Sequence, residues 1–155
     1  MAALQSGNHI TPSLGDLILP QAVAPRARWQ GKKQVLHEMS SVMAKALGLD
    51  ARLVHEAVLE RERLGSTGVG EGVAIPHARI ESLSRPVAGF ARLLEPADFE
   101  AIDERPADLI FMLLAPTDSG ADHLRALARA ARVFRQERIR TALRQAQTSE
   151  AVLAI

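Results

Sequence analysis

Apolar residues recur with helical spacing in the first half of the chain. Between residues 31 and 47 they keep to one side of a helix at about 100° per residue, which predicts an amphipathic helix ended by Gly48. Asp50 is a favourable N-cap and predicts a second helix that runs to about Leu64. Gly65 then has the position of a left-handed residue that ends a helix. We therefore expect two consecutive helices joined by a short turn.

Buried strands are predicted farther along the chain, where short apolar runs replace the helical period. Val73–Ile75 is one such run, and Val87–Leu94 lies between two prolines. Ala107–Ala115 is continuously apolar except for one aspartate, which is typical of a central strand covered on both faces. Residues 99–103 form either a short edge strand or a turn, and the pattern does not decide between them.

A third amphipathic helix follows capping residues at 118–122. Its predicted apolar stripe consists of Leu124, Leu127, Ala128, Ala131 and Phe134. His123 lies in the first turn, where the helix dipole lowers the pKa of an imidazole and favours a neutral ring. A capping or packing role would explain this histidine equally well. Short helices at 137–146 and 149–155 complete a mixture of strands and helices that favours a layered α/β domain.

The N-terminal region reads as irregular. Residues 1–10 are predicted to be a disordered segment, and a short turn capped at residues 11–13 should end at Pro20 and Pro25. Residues 11–155 then form one domain, since no repeat, low-complexity tract or long linker divides them.

Composition narrows the classes of protein that this chain can represent. It has 155 residues, a formal net charge of +1 and no cysteine, so disulfides and cysteine nucleophiles are excluded. There is no basic block, and four phenylalanines with one tryptophan and no tyrosine argue against nucleic-acid binding. No segment has the length of a membrane span or the form of a signal peptide, so we expect a cytoplasmic protein without membrane insertion. No two histidines have the short helical spacing common in zinc sites, so no metal is expected.

The segment richest in candidate chemistry runs from Gly65 to His77. It holds four of the ten glycines, which predict an exposed loop of N–H groups suited to an anion. The P-loop is excluded because its lysine and hydroxyl residue are missing, and the Rossmann motif because the glycines precede a strand. Pro76 fixes the backbone direction in which His77 leaves the short strand before it. We interpret His77 as the reactive residue.

Arg61 lies within the apolar stripe of the second predicted helix. A buried and unpaired guanidinium is costly, so this side chain either reaches solvent, pairs with a carboxylate such as Glu62, or faces an anion at the glycine segment. A nucleophilic histidine, a cation and N–H donors are together the parts that phosphoryl transfer uses. Imidazole suits reversible transfer because it is largely neutral at pH 7.

Residues 61–78 closely resemble the signature of enzyme IIA proteins of the bacterial phosphoenolpyruvate-dependent phosphotransferase system, of the mannitol/fructose type. Residues 99–103, 106–116 and His123-Leu124 resemble a second block of that family. Within it, the resemblance is greatest to the stand-alone nitrogen-regulatory type and covers about residues 12–155. It implies an α/β sandwich around a mixed sheet of about five strands.

The resemblance also implies roles for particular residues. His77 would be phosphorylated, Arg61 and His123 would contact the phosphoryl group, and main-chain N–H groups near Thr67 and Gly68 would contribute. The partners would be an HPr-type phosphohistidine donor and a regulated protein target, with no cofactor. Two other hypotheses remain, namely a sugar-specific IIA protein that passes phosphate to a IIB protein, and a regulatory binding module of the same fold without phosphoryl transfer.

Overall fold

A computed structural model of the chain describes residues 14–118 and 120–155. The predictions for residues 1–10 and for the cap at 11–13 lie outside the described residues. The strands are β1 (Ile18–Ala27), β2 (Gly68–Gly70), β3 (Val73–Ala74), β4 (His77–Arg79), β5 (Val87–Ala97) and β6 (Ala107–Ala115). The helices are α1 (Lys32–Leu47), α2 (Ala51–Arg63), α3 (Gly120–Phe134), α4 (Glu137–Gln145) and α5 (Ser149–Ala154).

Strand β6 is the centre of a mixed sheet. It pairs antiparallel with β5 along one edge and parallel with β3 and then β4 along the other. Strand β1 extends the sheet beyond β5 in parallel, and β2 extends it beyond β3 in antiparallel orientation. The predicted α/β class with a mixed sheet is therefore confirmed, and the described chain contains six strands rather than about five.

Helices cover both faces of this sheet. Helices α1 and α2 bury their apolar residues against one face, and α3, α4 and α5 pack on the other. The residues of β6 from Leu109 to Ala115 are all buried, which confirms the prediction of a central strand covered on both sides. As a consequence, helices on either face of the sheet can contact side chains at the ends of its strands.

Strand β1 was missed because of its prolines. The sequence predicts that Pro20 and Pro25 end a turn, yet both lie within a ten-residue strand. β1 is an edge strand with breaks in its register against β5, and such positions tolerate a residue without an N–H. The Pro25 carbonyl also accepts a hydrogen bond from Arg92 at 3.1 Å, so the irregular part of the edge is tied to β5. In the same way, β5 continues past Pro96 to Ala97 instead of ending at residue 94.

Helix boundaries were predicted better than helix faces. Asp50 caps α2 by accepting the Arg52 N–H at 3.0 Å, and Gly48 ends α1 with a left-handed φ of 70°. Gly65 does not end α2 in that conformation, because its φ of 159° is extended and Leu64 is the C-cap. Residues 102 and 103 form a turn and residues 99–101 have no regular secondary structure, so the edge-strand alternative is wrong.

In α2 and α3, the predicted apolar stripe differs in part from the helix face that packs on the sheet. In α3 the side chain of Leu124 is 66% exposed, while the buried residues are His123, Ala126, Ala130, Val133 and Phe134. Leu64, the last residue of the apolar stripe predicted for the second helix, is the C-cap of α2 and is 83% exposed, whereas Glu62 is buried. Alanine and leucine nearly surround α3, so periodicity alone left more than one possible core face.

Candidate active site

His77 is the first residue of β4, and its ring is held by the backbone carbonyl of a residue two positions earlier. Its Nδ1 lies 2.9 Å from the Ile75 carbonyl oxygen. The Pro76 carbonyl accepts the Leu113 N–H at 2.9 Å, so the turn that delivers His77 is fixed to the central strand. The ring is half-buried, which leaves one side accessible. A histidine in this position has a defined orientation before any ligand binds.

Arg61 reaches His77 from the last turn of α2. Its Nε donates to His77 Nε2 at 3.1 Å, and its Nη1 donates to the Gly65 carbonyl at 2.8 Å. Because a guanidinium can only donate, the His77 Nε2 accepts with its lone pair. The proton of the neutral ring is therefore on Nδ1, where it is donated to Ile75. Of the three alternatives for Arg61, the one that directs it toward the glycine segment agrees with the geometry.

The pKa of His77 is lowered from its ordinary value. Burial is the largest cause, and the positive charge of Arg61 acts in the same direction. The hydrogen bond to Ile75 opposes both effects because it stabilises the protonated ring. The result is a neutral imidazole at pH 7 whose Nε2 lone pair is available as a nucleophile.

His123 lies beside His77 in the first turn of α3. The two ring centroids are 5.3 Å apart, the rings are nearly perpendicular, and His123 is 5% exposed. Burial, and then the charges of His77 and Arg79, lower the pKa of His123 to about 4. The neutral ring that the helix position predicts is therefore present, although burial is the main cause rather than the helix dipole.

Arg79 was missed by the sequence reasoning. Its Nε donates to His123 Nδ1 at 3.4 Å, so the His123 proton lies on Nε2. That Nε2 is buried and has no hydrogen-bond partner among the described residues. His77 and Arg79 share one face of β4 because side chains alternate along a strand, and that spacing could have identified the arginine.

Thr67 and Gly68 lie in the glycine segment that follows α2. The Thr67 N–H and hydroxyl both donate to the Glu62 carboxylate, at 2.9 and 2.6 Å, and the Gly68 N–H donates to Ser66 Oγ at 3.0 Å. The segment is thus not the exposed loop of free N–H groups that its glycines predict. It continues as a β2–β3 hairpin whose turn at residues 70–72 has positive φ angles.

Glu62 is the second site-building residue that the sequence reasoning missed. It is 8% exposed, and besides Thr67 it contacts Lys32 Nζ at 3.0 Å. Burial acts to lower the pKa of Lys32, but the bonds to Glu62 and Glu100 outweigh it and raise that pKa. Glu62 therefore joins α1, α2 and the start of the glycine segment. Glu62 follows Arg61 and lies one residue away from the predicted apolar stripe, so the sequence pattern did not predict that it is buried.

The structure brings Arg61, His77 and His123 together, as the sequence predicts. Around them, in the described part of the chain, no three side chains of the metal-binding types converge. Across residues 14–118 and 120–155 we find no helix with both the length and the apolar character needed to cross a membrane. The arrangement is a half-buried imidazole whose Nε2 accepts from Arg61, beside a second imidazole whose Nδ1 accepts from Arg79.

Comparison with known proteins agrees with this geometry. A family model described as "Phosphoenolpyruvate-dependent sugar phosphotransferase system, EIIA 2" matches residues 17–155. The chain therefore belongs to the type 2 enzyme IIA family of that system, whose members carry phosphoryl groups or regulate through them.

Individual relatives indicate which types of enzyme IIA protein this chain is similar to. A nitrogen regulatory protein of Bradyrhizobium diazoefficiens is 45% identical over 90% of this chain and 92% of its own length. A fructose-specific EIIA component of Haloferax volcanii is 38% identical over 83% and 82%. The crystal structure of the nitrogen regulatory protein IIA-Ntr of Neisseria meningitidis superposes with a TM-score of 0.85 at 34% identity, over 91% of this chain and 97% of that one.

Proposed function

We propose that this chain is a phosphohistidine carrier of the nitrogen-regulatory type, with His77 as the acceptor. The observation that carries the proposal is the pair of contacts of the His77 ring, Nδ1 with the Ile75 carbonyl at 2.9 Å and Nε2 with Arg61 Nε at 3.1 Å, which together assign the Nε2 lone pair as the acceptor. Nε2 is then the atom that receives the phosphoryl group. The 45% identity to a nitrogen regulatory protein supports the regulatory assignment.

The proposed step is an in-line transfer between two imidazoles. His77 Nε2 forms a bond to phosphorus as the N–P bond of an HPr-type phosphohistidine donor breaks, and the donor ring keeps that electron pair. His77 retains its Nδ1 proton, so the phosphorylated ring continues to donate to Ile75. No metal or other cofactor is needed for the atoms to balance.

The surrounding residues would stabilise charge on the transferring group. Arg61 would exchange its bond to Nε2 for bonds to phosphoryl oxygens, and the unpartnered His123 Nε2–H would donate to another oxygen. Main-chain N–H groups near Thr67 and Gly68 remain the predicted additional donors. They would have to exchange their present bonds to Glu62 and Ser66 to do so.

Phosphorylation would make the site a switch for partner binding. A phosphoryl group adds about two negative charges at pH 7. Such a change alters which partner surfaces are complementary, so a regulated target would distinguish the two forms. We assign the function to the predicted domain, residues 11–155, and the location to the cytoplasm, where an HPr-type donor would act.

A sugar-specific role is a second candidate because a fructose-specific EIIA component is 38% identical to the chain. The chemistry at His77 would be the same, and the phosphoryl group would pass on to a IIB protein. A regulatory module that never accepts phosphate is a third hypothesis, and the assembled nucleophile and cation argue against it.

The test is phosphopeptide mapping after incubation with phosphoenolpyruvate, enzyme I and an HPr-type donor. Acid-labile phosphate on the peptide containing His77 is expected, and intact mass should rise by one phosphoryl group. Adding a fructose-type IIB protein tests the second candidate, since rapid loss of the label to IIB would favour it. Absence of any label with every donor would favour the binding module.

A further inference from the structure

A cavity lies at the C-terminal end of α3, whereas the proposed active site lies at the N-terminal end of this helix. It has a volume of about 340 Å³, is partly open to solvent, and lies between the sheet and helices α3, α4 and α5. Val133 at its wall is ten residues from His123, or roughly 15 Å along a helix. The cavity is therefore separate from the site around His77.

The cavity wall is largely apolar. The apolar residues that line it include Phe90, Phe111, Phe134, Ile139, Leu143 and Val152. The ring of Phe134 lies 6.4 Å from that of Phe90 and 5.4 Å from that of Phe111, so three aromatic side chains in the lining lie close together. Protein interiors are usually close-packed, and a space of this size falls within the range of small-molecule sites, about 300–1,000 Å³.

The lining also includes two polar side chains. Arg138 and Gln136 lie there, and Arg138 Nη2 donates to Gln136 Oε1 at 3.1 Å. Among the described residues no carboxylate forms an ion pair with Arg138. A guanidinium with donors to spare matches the geometry of a carboxylate. We propose that this cavity binds a small carboxylic acid with an aromatic or branched apolar body, and that α4 couples its occupancy to the glycine hairpin.

The coupling follows from the two sides of α4. Ile139 and Leu143 line the cavity, while Arg144 on the same helix donates to the Glu71 carbonyl at 3.0 Å. Arg140 also approaches the Glu71 carboxylate, at 3.7 Å. Glu71 forms the turn of the hairpin that carries Gly68, so a shift of α4 would displace the segment whose Gly68 N–H is one of the proposed phosphoryl donors. The meaning of this coupling for regulation rests on the proposed function, but binding itself does not.

Binding can be tested with 4-phenylbutyrate and its uncharged analogue 4-phenylbutan-1-ol, by NMR titration of the full chain without any phosphoryl donor. The acid should bind saturably with a Kd below about 1 mM. The alcohol should bind at least about tenfold more weakly, because it lacks the charged contact to Arg138. Arg138→Gln should remove that preference, whereas Arg132→Gln, an exposed arginine of α3 outside the cavity, should retain it.

Filling the cavity supplies an independent check. Val152→Phe and Val133→Phe each place a ring in the space, and either variant that remains folded should bind both probes more weakly. Saturable binding of neither probe by the natural sequence would overturn the proposal, as would equal affinity for acid and alcohol.

Coupling has its own readout at the hairpin. Saturation with the acid should shift the amide resonances of Gly68 and Gly70, which are remote from the cavity. Arg144→Lys keeps a positive charge beside Asp108 but has no second nitrogen for Glu71, so it should bind the acid within about twofold and reduce these shifts. Unshifted hairpin amides at saturation would overturn the coupling. Because no donor is present, this result is independent of whether His77 accepts phosphate.

Discussion

Arg61 Nε donates to His77 Nε2 over 3.1 Å, so the lone pair proposed as the nucleophile already contacts the cation proposed to bind phosphate. Sixteen residues of sequence separate the two, and α2, the glycine segment and β3 bring them together. The contact explains how the site is organised without a ligand. Arg61 holds Nε2 in the acceptor form, and in the proposed mechanism it transfers its donors to the incoming oxygens.

Replacing Arg61 with alanine should slow phosphoryl transfer by about 10²-fold, since loss of one donor to developing charge has an effect of this order. The apparent pKa of His77 in the rate profile should also rise, because the charge of Arg61 lowers it. Stopped-flow transfer from a phosphorylated donor, measured across pH, gives both quantities. Arg63→Ala removes an exposed arginine from the same helix end and is the matched control. Equal rates for Arg61→Ala and Arg63→Ala would contradict the assignment.

His77→Ala should abolish acid-labile labelling and leave the fold intact, because the ring is half-buried at the start of a short strand. His37→Ala, which changes an exposed histidine of α1, should be labelled like the natural sequence. Intact-mass measurement and circular dichroism test the two statements. Label that persists in the His77 variant would move the acceptor to another residue.

Arg79→Gln should lower the transfer rate through His123 rather than by direct contact with phosphate. Without the Arg79 N–H, His123 can carry its proton on Nδ1, and its Nε2 no longer donates. We expect about a tenfold loss in kcat with a smaller change in KM, and partial rescue in Arg79→Lys. Proton–nitrogen NMR of the His123 ring reports the tautomer. An unchanged tautomer in a slow variant would mean that Arg79 acts in another way.

His123 should make stability depend on pH below neutrality. Its folded pKa of about 4 lies below the unfolded value of 6.5, so the folded state binds fewer protons between these values. Stability is then complete above about pH 6.5 and falls as the pH falls toward 4, by up to about 3 kcal/mol. Urea unfolding at pH 7 and pH 5 should show a smaller decrease in His123→Gln than in the natural sequence. His37→Gln should behave like the natural sequence, and an identical slope in both variants would contradict the prediction.

Glu62→Gln should lower the free energy of unfolding by about 1–3 kcal/mol, because Lys32 and Thr67 lose a buried charged acceptor. Glu60→Gln changes an exposed glutamate of the same helix and should have little effect. Thermal unfolding compares the two. The Glu62 variant should also show faster exchange of the Thr67 amide, and equal exchange in both variants would argue against its anchoring role.

Local signals in the sequence predicted much of the fold. The caps at Gly48 and Asp50 and the apolar run of β6 are each determined by neighbouring residues, and all three are confirmed. Strand β1 could not be recognised in this way, since prolines are acceptable there only because the strand lies at an edge. The buried face of α3 likewise depends on how the helix is placed on the sheet.

The sequence by itself determined the α/β class, the order of most elements and the candidates Arg61, His77 and His123. These follow from hydrophobic period, capping residues and residue chemistry, which are local properties. Only the tertiary structure decided that Arg79 contacts His123, that Glu62 is buried against Lys32, and that the Thr67 and Gly68 amides already have acceptors. Each of these contacts depends on the three-dimensional arrangement of the elements. The hydrogen-bond partners are determined only when the helices have packed on the sheet, because a buried polar group bonds to whichever partner the packing brings near it.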